Sequence, residues 1–217
     1  MPKNNAKLNN TVMVYVSTFD SDVAVESVEP AIRNEMIQRC TNQRAKQQRY
    51  CVWRLFDYAL RDCYDGGVAD FDFYVDDNGK WQTHYCISFS LTHCNNVVAV
   101  AVCNHAVGID LEAVSHFTRH VGSADFAERV LTDNEQLLLQ DVSIEARAEL
   151  LAKLWTKKES FFKLRGSSAF VPKSIDTTIK PARSQLLTLG GEQYVLSVAT
   201  YIPAKIELVQ IDWKLCK

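Results

Sequence analysis

Two stretches of this chain, Gly108-Ile109-Asp110-Leu111-Glu112 and Trp155-Thr156-Lys157-Lys158-Glu159-Ser160-Phe161-Phe162-Lys163, have residue types and spacings that can do chemistry. Asp110 and Glu112 stand at i and i+2. On a strand, where side chains alternate, that spacing turns both carboxylates to one face. Carboxylates so close repel each other, and a cation relieves the repulsion. Glu159 and Lys163 stand at i and i+4, on one face of a helix. Together the stretches offer three hard oxygen ligands and an ammonium. That set suits a magnesium ion holding a diphosphate, because Mg²⁺ takes carboxylates, phosphate oxygens and water. Taken singly, each stretch also has a plain reading. The first could be a polar strand end in solvent, the second a surface ion pair worth a few tenths of a kcal/mol. The aromatic character of Trp155 to Phe162 argues that this end of the helix packs in a core or cleft.

A third piece, Phe89-Ser90-Leu91-Thr92-His93, lies upstream of the acidic pair. The three pieces, in this order and over roughly residues 78–166, resemble the signature of the 4′-phosphopantetheinyl transferase superfamily, in its larger, surfactin-synthetase-type branch. Thr92 stands where that signature has serine and keeps the hydroxyl. The resemblance implies that Asp110, Glu112 and Glu159 are metal ligands for Mg²⁺, with Mn²⁺ as the alternative. It implies that Glu159 and Lys163 are catalytic and that coenzyme A is the substrate. Arg49, Lys80, Thr92, His93, Lys158 and Lys163 are then its candidate contacts. Arg and Lys are the expected partners of phosphate; Arg54 is a further candidate, with a solvated helix face as the plain alternative. Lys80 follows Asn78-Gly79, with Trp81 where the family has proline. Arg33 and Lys46 are too loosely placed to carry over, and His84, His105, His116 and His120 have no motif around them.

The implied reaction moves the 4′-phosphopantetheine arm of coenzyme A to a serine of an apo acyl or peptidyl carrier protein and releases 3′,5′-ADP. A non-catalytic coenzyme A or carrier-binding module and a Mg-dependent diphosphate hydrolase are the alternatives. Carrier docking is expected between His116 and Val130, where Phe117, Arg119, Phe126 and Arg129 offer exposed apolar and basic surface.

Composition bounds the rest. The 217 residues are 47% hydrophobic and 23% charged, ordinary for a globular protein with a substantial core. A formal net charge of −2 gives no electrostatic footprint for nucleic acid. No apolar run approaches the ~18–20 residues of a membrane helix, and the polar first ten residues lack a signal-peptide core. A cytoplasmic location is the default expectation. Seven cysteines without a C-x-x-C pair read as reduced, mostly buried thiols.

Periodicity predicts an α+β fold. Residues 1–10 read as disordered. Strands are expected at 11–18, 71–75, 85–92, 96–103, 106–112, 193–201 and 206–213. Helices are expected at 27–40 (Val28, Ile32 and Met36 inward), at 42–63, from 126 to 131, and at 144–164. Thr132-x-x-Glu135 has the form of a capping box, and Gly166 is a natural helix stop. The resemblance implies two similar subdomains related by pseudo-twofold symmetry, each with helices on a small antiparallel sheet. Residues 1–105 would form the coenzyme A nucleotide side and residues 106–217 the metal and catalytic side of one monomeric pseudo-dimer.

Overall fold

The computed structural model describes residues 8, 10–179 and 182–216. The fold is α+β and stacks in four layers: helix, sheet, sheet, helix. The first sheet has strand order β4 (Ser88–Cys94), β5 (Val97–Cys103), β1 (Thr11–Thr18) and β9 (Lys205–Gln210). Its pairs are antiparallel except β1 with β9, which is parallel. The second sheet has the order β6 (Val107–Ala113), β8 (Glu192–Thr200), β7 (Ala182–Leu189). A small hairpin joins β2 (Phe73–Val75) and β3 (Trp81–Thr83).

The central strand β5, Val-Val-Ala-Val-Ala-Val-Cys, is buried along its whole length because both faces are covered. Val98, Val100 and Val102 pack toward helix α2 (Gln43–Cys63), while Val97, Ala99, Ala101 and Cys103 pack toward the second sheet. The small alanines on that inner side let the two sheets approach. Helix α2 presents Cys51, Leu55 and Ala59 to the core, as its 3.6-residue pattern predicts. Beyond the second sheet lies α5 (Ile144–Arg165), packed on β6 and β8 and ended by Gly166 in the left-handed conformation.

Several expectations change. Helix α1 (Ala31–Gln38) buries Arg33 and Ile37 and leaves Ile32 and Met36 exposed, so its inner face is rotated from the one its apolar residues suggest. Arg33 is accommodated by its flat guanidinium, which stacks over Trp53 and Trp81 at 4.8 and 5.6 Å from the ring centroids. The disorder expected for residues 1–10 falls mostly outside the described residues, but Leu8 is fully buried in the core around α2. Strand β7 was not expected. It reaches β8 through Gly190-Gly191, both at positive φ, a two-residue hairpin turn.

Between β6 and α5 run a short 3₁₀ segment (Val114–His120), α3 (Ala124–Val130) and α4 (Asp133–Gln140). The capping box of α4 forms as expected. Thr132 Oγ1 accepts from the Glu135 amide at 3.3 Å, and Glu135 Oε2 accepts from the Thr132 amide at 2.9 Å. Glu135 is fully buried and also holds Lys158 Nζ at 2.6 Å. Glu135→Ala would strand that ammonium, so it is expected to lower unfolding free energy by about 3–5 kcal/mol. Denaturant titration checks this; a midpoint within error of wild type would show that the pair carries no such cost. No helix among the described residues is long and apolar enough to cross a membrane.

Candidate active site

The site forms where β4, at the edge of the first sheet, meets β6, at the edge of the second. An edge strand leaves backbone donors unpaired. Here side chains of β4 satisfy them: Ser90 Oγ accepts from the Ile109 amide at 3.1 Å, and Cys94 Sγ accepts from the Ala113 amide at 3.4 Å. The seam therefore fixes β6 beside Thr92.

Gly108 sets the third side. A Cβ built there would lie 1.9 Å from the Ser160 carbonyl oxygen and 2.5 Å from the Leu164 amide nitrogen. Only a residue without a side chain lets β6 lie this close to α5. Two residues further on, Asp110 meets Lys163 of that helix. Lys163 Nζ donates to Asp110 Oδ1 at 2.7 Å, and Thr92 Oγ1 donates to the same oxygen at 3.0 Å. Lys163 also lies 3.4 Å from Thr92 Oγ1. Asp110 is 4% exposed, and its Oδ2 is buried with no hydrogen-bond partner among the described residues. An orphaned carboxylate oxygen in such a place has the chemistry of a cation ligand.

Glu112 and Glu159 share this electrostatic environment. Burial pushes both carboxyls up, and the charge of Asp110 raises each further. Glu159 reaches about 7, although Lys163 pulls it down. Two carboxyls raised by burial beside a third carboxylate are what a divalent cation stabilises, and the all-oxygen donor set fits Mg²⁺. Glu112 Oε2 is meanwhile held by His116 Nδ1 at 3.1 Å and by the Cys94 thiol at 3.3 Å.

Lys80 joins the site from the turn before β3. Burial lowers its pKa, and its Nζ donates to the Lys163 carbonyl at 2.9 Å. A cleft beside it is lined by Lys80, Trp81, Phe89, Leu91, Phe162 and Lys163, cationic at one end and apolar along its wall. His93 is on the opposite face of β4 from Thr92. The residue is exposed, yet desolvation by the protein around the ring lowers its pKa to about 4, and the charges of Lys163, Arg49 and Arg33 lower it further. A histidine depressed in this way is neutral when folded and costs stability as pH falls from about 6.5 towards 4. His93→Gln is expected to flatten that acid limb in thermal melts. NMR titration of wild type should place the imidazole near 4 and show it rising when a 3′-phosphorylated nucleotide is added. A pKa near 6.5 without ligand would contradict this desolvated setting beside cations.

Arg49 is exposed, and its carbonyl oxygen is held by Arg33 Nη2 at 2.9 Å. Arg33 was missed in the sequence because its placement depends on the two tryptophans. It is a buried guanidinium whose Nε has no partner among the described residues. Arg54 instead donates to the Cys216 carbonyl at 2.9 Å.

Two groups are not brought to the site. Lys158 is fully buried on the other side of α5, where Glu135, the Pro172 carbonyl and the Ile175 carbonyl take up its three donors. No part of it faces the cleft, because helical geometry points Lys158 away from Glu159 and Lys163. In the segment expected to dock a carrier, Phe117 is 5% exposed and belongs to the core, and Phe126 is half-buried in the same cluster. Arg129 pairs with Asp125, and Arg119 is exposed.

The seam brings buried carboxylates beside a lysine, and comparison with known proteins shows what this part of the chain is similar to. Residues 106–204 match the model of the 4′-phosphopantetheinyl transferase superfamily, a span that holds Asp110, Glu112, Glu159 and Lys163. Over 94 residues the chain is 32% identical to the 4′-phosphopantetheinyl transferase gsp of Aneurinibacillus migulanus. That alignment covers 43% of this chain and 38% of the relative. The matched span, residues 106–204, is similar to the superfamily that the three sequence pieces resemble, and the alignment spans well under half of the relative's length.

Proposed function

We propose that this protein transfers the 4′-phosphopantetheine group from coenzyme A to a serine of an apo acyl or peptidyl carrier protein. The observation that carries the reading is the seam itself. The buried, unpartnered Asp110 Oδ2 stands with Glu112 and Glu159 beside Lys163, over a cleft with a cationic end and an apolar wall.

Asp110, Glu112 and Glu159 would hold Mg²⁺, or Mn²⁺ in its place. When bound, the ion would supply charge neutralisation on the diphosphate. In the reaction the serine oxygen bonds to the β-phosphorus of coenzyme A, the bond from that phosphorus to the bridging oxygen breaks, and 3′,5′-ADP leaves. Glu159 accepts the serine proton, directly or through a water; its raised pKa suits a base at neutral pH. Lys163, fixed by Asp110 and Thr92, meets the charge that builds on the departing phosphate. Lys80, Arg33 and Arg49 offer cations for the remaining phosphates, and the His93 ring, neutral in the free protein, offers a hydrogen bond. On this reading residues 1–105 are the nucleotide side and residues 106–217 the metal side, although β9 pairs with β1 in the first sheet. The enzyme so read works as a cytoplasmic monomer.

A product assay tests this. Release of 3′,5′-ADP only when carrier is present supports transfer. Release without carrier supports the diphosphate hydrolase, and binding of coenzyme A without either supports the binding module.

A further inference from the structure

Cys94, Glu112 and His116 form a second donor cluster at the end of the seam, on the side of Glu112 away from the cleft. Their donor atoms make a triangle: 3.3 Å from Cys94 Sγ to Glu112 Oε2, 3.1 Å from His116 Nδ1 to the same oxygen, and 3.8 Å from Sγ to Nδ1. Tetrahedral zinc, with bonds of about 2.3 Å to sulfur and about 2.0–2.2 Å to nitrogen and oxygen, needs ligand separations of about 3.4–3.6 Å. The triangle matches that within a few tenths of an ångström before any ion enters. Three elements preset it. Cys94 ends β4, Glu112 lies near the end of β6, and His116 sits on the 3₁₀ segment that follows.

The donors differ in kind from the neighbouring carboxylates. A thiolate and an imidazole select a borderline-soft ion over Mg²⁺. Burial and the charge of Glu112 hold Cys94 as a thiol in the metal-free protein, and the Ala113 amide at Sγ offsets this only in part, so it is the ion that must stabilise the thiolate. Cys94 is 5% exposed, whereas the His116 side chain is 45% exposed and gives an ion a way in.

We propose that Cys94, Glu112 and His116 form a binding site for a zinc-type divalent ion, with a fourth tetrahedral position for solvent. The ion displaces the thiol proton, and the neutral His116 ring keeps its proton on Nε2 so that the Nδ1 lone pair faces the ion in place of a hydrogen bond to Glu112. Because Glu112 is shared, filling this site withdraws a ligand from the hard-cation site. Zinc at this position therefore opposes magnesium; this consequence, unlike the binding, rests on the proposed function.

Cobalt(II) titrated into the metal-free protein tests the site without reference to activity. The wild-type protein should develop a thiolate-to-cobalt charge-transfer band in the near ultraviolet, saturating at one equivalent. Cys94→Ser should abolish the band. His116→Ala, at an exposed position that leaves the core intact, should weaken cobalt binding about tenfold or more. No band in wild type, a band that survives Cys94→Ser, or unchanged affinity in His116→Ala would each overturn the proposal. With the site established by this titration, zinc inhibition of transfer in wild type should be relieved in His116→Ala. Equal inhibition of both would remove the antagonism while leaving the binding site in place.

Discussion

Glu159→Ala is expected to lower the rate of carrier modification by a hundredfold or more. Even partners one step removed from a metal ligand cost about 10–100-fold when lost, and Glu159 has two roles, ligand and proton acceptor. Glu112→Ala should fall in the same range for the first reason alone. The stability effect has the opposite character. The Glu159 carboxyl is raised to about 7 by burial and by Asp110. In the unfolded chain it ionises at an ordinary, lower pH, so between that pH and about 7 the group increasingly costs the metal-free fold stability. Removing it should leave the metal-free protein at least as stable as wild type at neutral pH. Added Mg²⁺ should raise the melting temperature of wild type and not of the variant. Steady-state transfer assays and thermal melts with and without Mg²⁺ check both halves. Normal turnover in Glu159→Ala would remove Glu159 from both the metal site and proton transfer.

Gly108→Ala should have the largest effect of any single methyl group in the chain. Its Cβ would fall 1.9 Å from a carbonyl oxygen and 2.5 Å from an amide nitrogen, both backbone atoms of α5 that cannot swing aside. Strand and helix must separate. Overpacking of this kind costs about 1–3 kcal/mol and sometimes more. Separation also carries Asp110 and Glu112 away from Glu159 and Lys163, so activity should drop further than stability. Urea unfolding followed by circular dichroism, with turnover on the folded fraction, checks this. Wild-type values for both would mean that the close approach does not position the site.

Much of this was legible because the signals were local. The apolar run at 97–103, the cap at Thr132 and the stop at Gly166 each depend on a few neighbouring residues, and all appear in the fold. The convergence of Asp110 with Lys163 and Thr92 followed the motif pieces. What failed was non-local. Nothing in the periodicity of 31–38 says that a guanidinium rather than Ile32 turns inward, because the tryptophans it stacks on come from two other elements. Lys158 sits one residue before Glu159, yet one residue on a helix is about 100° of rotation, enough to send it to Glu135. The parallel pairing of β9 with β1 depends on a return across the whole chain. Strand β7 did have a local signal, the Gly190-Gly191 pair, which is a hairpin turn sequence. His116 had none: its partners Cys94 and Glu112 lie on different strands.

The most direct test of the central claim is intact-mass analysis of a panel of apo carrier proteins incubated with coenzyme A, Mg²⁺ and this protein. The account predicts a carrier whose mass rises by one phosphopantetheine group, with the gain lost on adding chelator and lost with Glu159→Ala. Unchanged masses across acyl and peptidyl carriers, or a gain that persists with Glu159→Ala, would contradict it.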